Sequence, residues 1–234
     1  IDRGDEEPFD VEITREDIEV PNVETEMKTE EIGYISLAQF IEDVGTKLET
    51  AVSDLKEQGA QGIILDLRNN PGGLLNESVD VSSVFLDEGV IVSVKQKDET
   101  ERVLEVNQKI KANTEIPLIV LINKGSASAS EIVAGAVKDY ERGKLMGATT
   151  FGKGVVQSVV PLKDGSAVSL TTARYYTPDG NYIHEKGIVP DIKVELDIEA
   201  AQEDGSDNQL EAAVAEMENM IFVRDFQDKK AAGE

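Results

Sequence analysis

Residues 117–157 read PLIVLINKGSASASEIVAGAVKDYERGKLMGATTFGKGVVQ, and the other predicted elements are placed around them. It opens with an apolar, β-branched run at residues 117–122 that predicts a buried strand. From Glu131 the apolar residues recur at helical spacing, and Gly143 is placed to end that helix. Serines alternate with alanines between the two elements. The pattern predicts a small-residue turn at a helix N-terminus, where free N–H groups and the helix dipole favour negative charge.

A single lysine lies between two glycines further along, in the segment Phe151–Gln157. A solvated lysine has a pKa of about 10.4 and is a poor base near neutral pH. Burial against apolar neighbours lowers the pKa of an amine, which can then accept a proton from a serine hydroxyl. Lys153 is therefore a candidate base. Gln157, four residues later, could orient its amine without adding charge.

Ser128, the middle serine of the turn, has a competing structural interpretation. Together with Glu131 it matches the Ser-x-x-Glu capping box, in which the serine only caps a helix and the glutamate bonds back to it. On this motif alone, capping is favoured. Three other features of the sequence favour a nucleophilic role. They are the lysine between two glycines downstream, the glutamine after it, and a diglycine loop upstream. Ser126 and Ser130 are expected to serve packing and capping.

The diglycine loop ends a predicted strand–helix–strand unit that spans residues 31–67. Such a unit typically places its two strands side by side and parallel. It is followed by Arg68–Gly73, RNNPGG, in which two glycines after a proline allow positive φ and close approach of the backbone to a ligand. The alternative is a plain entry turn, because apolar residues with roughly helical periodicity follow from Leu74.

Two β-hairpins and a terminal helix complete the predicted elements. The hairpins span residues 89–106 and 159–174, the second with Asp164-Gly165 at its tip. Residues 200–208 are acidic and contain glycine and serine, which predicts a linker. An apolar stripe at helical spacing then runs from Leu210 to Ile221. This helix is expected either to dock on the core or to pair with another subunit.

Several segments together resemble the signature of the carboxy-terminal processing proteases, also called tail-specific proteases, a family of serine-lysine peptidases. They are IGYISLAQF, GIILDLRNNPGGLL, GSASASEIVAGAV, TTFGKGVVQ, LTTARYYTPDG and HEKGIVPD, and they cover about residues 20–195. The resemblance implies that Ser128 is the nucleophile, that Lys153 is the general base, 25 residues later, and that Gln157 supports the lysine. It also implies an oxyanion hole made by the N–H of Ala129 and an N–H at Gly72 or Gly73.

The same resemblance implies an α/β fold, with a ClpP/crotonase-like protease core of repeated strand-strand-helix units, β-hairpins and a C-terminal helix. Residues 1–22 are then an extended connector that resembles the exit of a PDZ domain, itself largely absent. Residues 23–195 are the serine protease core. Residues 196–234 are an acidic linker and the C-terminal helix.

The activity implied is that of a serine endopeptidase that cleaves polypeptides near their C-terminal tails through an acyl-enzyme. Its partners would be unfolded or flexible C-terminal tails of protein substrates, and the terminal segments could form a homo-oligomer. Two alternatives stay open. The chain could be a non-proteolytic binding or scaffold module of the same fold, or an acyl-thioester enzyme, although the latter would need basic residues for phosphates.

Composition narrows the classes of partner. The chain has 47 acidic and 23 basic residues and a formal net charge of −24, which disfavours nucleic acid and anionic membrane surfaces. It has no cysteine and a single histidine, so no metal site and no cofactor are predicted. His184 lies in a polar, turn-rich segment that the family motif does not use, which disfavours a Ser-His pair.

Localisation is inferred from the resemblance. The sequence contains no apolar run long enough to span a bilayer and no signal peptide at its start. Members of the family typically work outside the cytoplasmic membrane or in organelle lumens. The expected location is therefore secreted, periplasmic or in a membrane-associated envelope.

Overall fold

The computed structural model describes Phe9, Val11 and residues 21–232. The connector predicted at residues 1–22 therefore lies almost entirely outside the described residues. In chain order the described elements are β1 Val23–Met27, β2 Ile32–Leu37, α1 Val44–Glu57, β3 Gly62–Asp66, α2 Leu75–Ser83, β4 Val90–Gln96, β5 Glu101–Glu105, β6 Leu118–Ile122, α3 Ala129–Asp139, β7 Lys144–Gly147, β8 Val155–Pro161, β9 Ala167–Tyr176, β10 Ile192–Lys193, α4 Ile198–Glu203 and α5 Asn208–Ala232.

Within the described ranges the strands form two sheets. The larger has six strands in the order β1-β2-β3-β6-β7-β10, and all of its neighbouring strands are parallel except β1 and β2. The smaller has four antiparallel strands in the order β5-β4-β9-β8. The predicted parallel pairing of the strands in residues 31–67 is confirmed, and so are both predicted hairpins.

The two central strands of the larger sheet are buried on both faces, which explains their uninterrupted apolar sequences. Side chains alternate between the faces of a strand. One face carries Ile63 and Leu65 of β3 and packs beneath α1, α2 and α3. The opposite face carries Ile64 of β3 and packs against Ala213, Met217 and Ile221 of α5. The predicted α/β fold with a C-terminal helix is therefore confirmed, and α5 docks on the sheet.

In the predicted strand–helix–strand unit the helix begins at Val44, because the backbone of Phe40 is held extended by hydrogen bonds with Gly72 and Leu74. Ile41 is consequently exposed and lies outside the helix. Part of the acidic segment expected to be a linker forms α4, whose N-terminus is capped by the Asp197 carboxylate.

One guanidinium joins α5 to the end of β3. Arg68 donates to the carboxylates of Asp66 and Asp207 and to the side-chain oxygen of Gln209. Asp207 also accepts the Leu210 N–H at the start of α5. Burial alone would lower the pKa of Arg68, but the hydrogen bonds that it donates to Asp207 and Asp66 outweigh this effect and raise the pKa overall. The start of the terminal helix is thus anchored beside the diglycine loop.

No helix among residues 21–232 is both long and apolar enough to cross a membrane.

We predict that Asp207→Asn lowers the free energy of unfolding by about 1–3 kcal/mol, because the buried guanidinium loses a charged acceptor. Burial raises the pKa of Asp207, yet the hydrogen bonds from Arg68 prevail and lower it overall. Its contribution to stability is therefore complete above the ordinary carboxyl pKa of about 3.9 and is lost as the pH falls below it. Denaturant unfolding between pH 3 and 7 measures this.

The matched control is Asp228→Asn, which makes the same charge change at an exposed position on the same helix. Its unfolding free energy should follow that of the unmodified chain at every pH. Equal stability of the two variants would contradict the anchoring role of the Arg68–Asp207 pair.

Candidate active site

The turn between β6 and α3 holds Ser128 in a strained backbone conformation. Its φ is 56° and its ψ is −112°, a combination that serine rarely adopts. The flanking serines fix the turn, since the hydroxyl of Ser126 donates to the Leu67 carbonyl and that of Ser130 donates to the Asn70 carbonyl. Both are fully buried, in keeping with the packing role predicted for them. The strain is therefore borne by the one serine that is not fully buried.

The diglycine loop after β3 is held against this turn by Asn70, which is fully buried. Its amide donates to the Leu37 carbonyl, and its side-chain oxygen accepts the Gly72 N–H. Its backbone carbonyl accepts the Ala127 N–H. One asparagine thus links β2, the diglycine loop and the serine turn.

Gly72 lies directly against the serine turn. Its φ is +99°, and a Cβ placed on it would lie 2.8 Å from both the Ser128 Cβ and the Ala129 nitrogen. Any larger residue would therefore displace the turn. The loop is thus more than the plain helix-entry turn weighed above, although α2 does begin three residues later.

The hydrogen bonds show which of the two glycines has an N–H without an acceptor, a choice that the sequence left open. The Gly72 N–H donates to Asn70, at 2.9 Å. Neither the Gly73 N–H nor the Ala129 N–H has an acceptor among the described residues. Both Gly73 and Ala129 line the same cavity as Ser128. An oxygen atom in that cavity would therefore find its N–H donors at Gly73 and Ala129.

Lys153 follows β7 and precedes β8, in a segment of close backbone packing. A Cβ on Gly154 would lie 2.6 Å from the backbone nitrogen of His184, so this glycine is required for the approach of the two segments. The Lys153 side chain is half-buried, whereas burial was predicted. Its amine forms no hydrogen bond or ion pair within the described part of the chain, so no bond joins it to Ser128. Catalytic hydrogen bonds are often long in the absence of substrate.

A buried carboxylate ties the serine turn to the lysine segment. Glu131 is 0% exposed, and its two oxygens accept four hydrogen bonds among the described residues. One comes from the Ser128 N–H at 2.9 Å, as the capping-box interpretation predicts. The others come from the Thr150 hydroxyl and from the N–H groups of Gly152 and Lys153, at 2.6, 2.6 and 2.8 Å. The same carboxylate therefore positions the backbones of Ser128 and Lys153.

Tyr175 of β9 closes the site from the smaller sheet. Its hydroxyl donates to the Lys153 carbonyl and contacts the Ser128 hydroxyl. Burial, and next the charge of Glu131, raise the pKa of this phenol and outweigh the hydrogen bond with Ser128, which lowers it. Tyr175 therefore stays neutral and keeps its proton throughout the usual pH range.

These residues surround one cavity of about 300 Å³. Five of the six predicted site residues line this cavity, namely Gly73, Ser128, Ala129, Lys153 and Gln157. The sixth, Gly72, does not line it, and neither does His184. Gln157 is exposed and lies at the rim. The cavity is lined by Gly73, Leu75, Ser128, Ala129, Ile132, Lys153, Val155, Val156, Gln157, Val159, Ser169 and Tyr175.

The cavity combines a hydroxyl, an amine, unpaired N–H groups and an apolar wall. This set suits attack on a carbonyl group, with the N–H groups placed to bind a developing oxyanion. Among the described residues, no three histidine, cysteine, aspartate or glutamate side chains are grouped so as to hold a metal ion.

Sequence reasoning missed three supporting residues. Glu131 was weighed only as a helix cap, because its bonds to residues 150–153 depend on how two distant segments meet. Asn70 gave no signal beyond its place in the RNNPGG motif. Tyr175 could have been found from its alternation with Ala173, since both point to the buried side of β9.

Comparison with known proteins finds peptidases. The profile described as "Peptidase family S41" matches residues 31–194. A "Probable CtpA-like serine protease" of Staphylococcus aureus (strain bovine RF122 / ET3-1) is 43% identical over 196 residues, which cover 83% of this chain and 39% of that protein. The protein of the same name from Staphylococcus epidermidis is 42% identical over 195 residues, with the same coverage of both chains.

A solved structure, the photosystem II D1 C-terminal processing protease, is similar with a TM-score of 0.68 and 36% sequence identity. The similarity covers 78% of this chain and 50% of that one. The chain thus spans 39% of the length of the staphylococcal relatives and half of the structural one.

We predict that Glu131→Gln releases the lysine segment, because an amide offers one acceptor oxygen where four N–H and O–H donors converge. The free energy of unfolding should fall by about 3 kcal/mol or more, since buried donors lose their charged acceptor. The amides of Ser128, Gly152 and Lys153 should lose protection from hydrogen exchange. Hydrogen–deuterium exchange and denaturant unfolding measure the two effects.

Glu141→Gln is the control, because it makes the same change at an exposed glutamate just beyond the other end of α3. Its exchange pattern should match that of the unmodified chain. Unchanged protection at Gly152 and Lys153 in Glu131→Gln would show that the carboxylate does not hold the two segments together.

Proposed function

This chain belongs to peptidase family S41, and we propose that it is a serine endopeptidase that cleaves polypeptides near their C-terminal tails. In this proposal Ser128 is the nucleophile, Lys153 is the general base and Gln157 supports the lysine. The observation that carries it is the single cavity onto which the serine, the lysine, the glutamine and two unpaired N–H groups open.

In the first step the Ser128 Oγ attacks the carbonyl carbon of the scissile peptide bond, and the neutral amine of Lys153 takes the hydroxyl proton. The tetrahedral intermediate collapses with cleavage of the C–N bond. Lys153 returns the proton to the leaving amine, which departs as the new N-terminus. An ester between Ser128 and the rest of the substrate remains.

The oxygen of the intermediate is bound by the N–H groups of Ala129 and Gly73. Each such donor is worth about 3 kcal/mol of transition-state stabilisation in other enzymes. The Gly72 N–H is excluded from this role because Asn70 already accepts it. Asn70 instead acts as a positioning residue, since it fixes the loop that presents Gly73.

In the second step water replaces the leaving amine. Lys153 takes a proton from the water, the hydroxide attacks the ester carbonyl, and the proton returns to Ser128 Oγ as the acid product leaves. The half-buried amine needs partial desolvation to serve as a base, and a bound substrate supplies it by covering the cavity. Gln157, at the rim, then lies between the amine and solvent.

The substrate is proposed to bind as an added strand along β8. This strand lies at the edge of the smaller sheet, and Val155, Val156 and Val159 line the cavity. An exposed strand edge offers unpaired N–H and C=O groups to an extended peptide. Only an unfolded or flexible segment can present such a strand. The apolar wall, which includes Leu75 and Ile132, suits an apolar side chain next to the scissile bond.

Two other functions are less well supported. A binding module of the same fold would not need the unpaired N–H groups beside Ser128 and Lys153. An acyl-thioester enzyme would need a cation-lined groove at the same cavity, where Lys153 is the one cation among the lining residues. The family relationship also supports a location in the cell envelope, outside the cytoplasmic membrane. This location is part of the proposal.

We predict that the chain cleaves an unstructured polypeptide and that Ser128→Ala lowers the rate at least about a thousandfold, because the nucleophile is lost. Lys153→Ala should lower it by a similar factor, because Ser128 then has no base. Electrophoresis and mass spectrometry of the products measure cleavage. Ser206→Ala and Lys163→Ala, both outside the cavity, are the matched controls and should retain full activity.

Full activity of Lys153→Ala together with an inactive Ser128→Ala would refute the lysine as the base. Full activity of both would refute the site as a whole. Binding of the polypeptide without cleavage by the unmodified chain would support the binding module, and turnover of a thioester that depends on Ser128 would support the acyl-thioester enzyme.

A further inference from the structure

Tyr175 of β9 is buried at the catalytic cavity, and the proposed reaction steps give it no part. Its side chain is 3% exposed, although it is one of the residues that line the cavity. The residue opposite it on β4 is Val94, which is buried as well. The ring is therefore fixed within the smaller sheet, while its hydroxyl reaches the serine turn.

Two hydrogen bonds join Tyr175 to the lysine segment. Its backbone N–H donates to the Gly154 carbonyl at 3.2 Å, and its hydroxyl donates to the Lys153 carbonyl. Glu131 accepts the N–H of Lys153, on the other side of the same residue. Both backbone polar groups of Lys153 are thus bound, so its main chain is held in place from two directions.

The single proton of the Tyr175 hydroxyl decides how this group meets Ser128. A phenol has one O–H donor, and here the Lys153 carbonyl, which can only accept, uses it. The hydrogen bond between the hydroxyls of Tyr175 and Ser128 therefore has Ser128 as its donor and the phenol oxygen as its acceptor. In this structure the hydroxyl proton of Ser128 thus points at the phenol oxygen.

This bond selects one orientation of the serine side chain. A serine has three staggered χ1 rotamers, and each carries the hydroxyl oxygen to a different place. Glu131 fixes the backbone of Ser128 through its N–H, whereas Tyr175 acts on the reacting oxygen itself. Because the Lys153 carbonyl is bonded to the same phenol, the Ser128 Oγ is held on the side of the cavity where the lysine segment lies.

We propose that Tyr175 is a positioning residue of the site, whose hydroxyl holds the Ser128 Oγ beside the lysine segment, where Lys153 takes its proton. This inference rests on the proposed function and deepens it. The phenol is not the base, because it stays neutral and keeps its own proton on the Lys153 carbonyl. It acts on Ser128 before acylation only, since the acylated serine has no proton left to donate.

The test is Tyr175→Phe, which removes the hydroxyl and keeps the buried ring. Tyr176→Phe is the matched control, because it removes the same group from a neighbouring ring that contacts Lys95 and does not line the catalytic cavity. The probe is a fluorophosphonate, which loses fluoride as it forms an ester with the Ser128 Oγ. Mass spectrometry gives the rate of this reaction at a series of pH values from about 6 to 10, because the pH profile reports the base. The kcat and KM for an unstructured polypeptide are measured separately.

We expect Tyr175→Phe to slow the reaction with the fluorophosphonate about tenfold, and to lower kcat by a similar factor, because a misplaced nucleophile reacts slowly. KM should change by less than about twofold, since the hydroxyl binds Ser128 and not the substrate. The rate should fall by the same factor at every pH, because Tyr175 stays neutral and the base is unchanged. Tyr176→Phe should match the unmodified chain.

Four results would overturn the inference. They are an unchanged rate in Tyr175→Phe, an equal loss in Tyr176→Phe, a loss that comes with a shifted midpoint of the pH profile, and a fall in unfolding temperature large enough to account for the loss. The third would show that Tyr175 acts by placing Lys153, and the fourth that its hydroxyl only supports the fold.

The proposed peptidase and the role of Tyr175 can fail separately. A reaction with the fluorophosphonate that depends on the Tyr175 hydroxyl, without cleavage of the polypeptide, would refute the peptidase and leave the positioning role. Cleavage at the full rate by Tyr175→Phe would refute the positioning role alone.

Discussion

The site depends on one buried carboxylate. Glu131 lies in the first turn of α3 and accepts hydrogen bonds from the serine turn and from the lysine segment at the same time. In these bonds both segments donate backbone N–H groups, so the carboxylate fixes where the two chain segments lie without bonding to the Lys153 amine. A buried charge is costly unless it is fully bonded. Here the helix N-terminus and four donors supply that compensation.

The sheet explains why these segments meet at all. β3, β6 and β7 are neighbouring parallel strands. Parallel strands end at the same edge of a sheet, and in open α/β sheets this edge holds the binding site. The diglycine loop follows β3, the serine turn follows β6 and the lysine segment follows β7. Three functional segments that are far apart in sequence therefore become neighbours through strand order alone.

The smaller sheet contributes a tyrosine and a strand edge to the site. Tyr175 reaches from β9 to the Lys153 carbonyl and couples the sheets at the site. β8 lies at the edge of this sheet and offers that edge to an extended chain. On the far face of the larger sheet, Arg68 links the loop after β3 to α5. The terminal helix is thus part of the support for the diglycine loop, although it is distant from the cavity.

Much of this could be predicted from sequence because it is local or motif-based. Apolar runs gave the strands, and the resemblance identified Ser128 and Lys153 as residues that the fold then places on one cavity. Other features depend on long-range register. The choice of Gly73 over Gly72 requires the Asn70 side chain, which competes for one N–H. The role of Glu131 requires the β7–β8 segment to fold back onto α3. The partial exposure of Lys153 requires the packing of a second sheet.

The most direct test of the central claim is a crystal structure of the chain with a peptide aldehyde bound covalently in the cavity. We expect the Ser128 Oγ to be bonded to the aldehyde carbon and the new oxygen to lie between the N–H groups of Ala129 and Gly73. The Lys153 amine should lie about 3 Å from the Ser128 Oγ, with every hydrogen bond of Glu131 retained. A Lys153 amine that points to solvent in this complex, or a Glu131 released from the lysine segment, would contradict the claim.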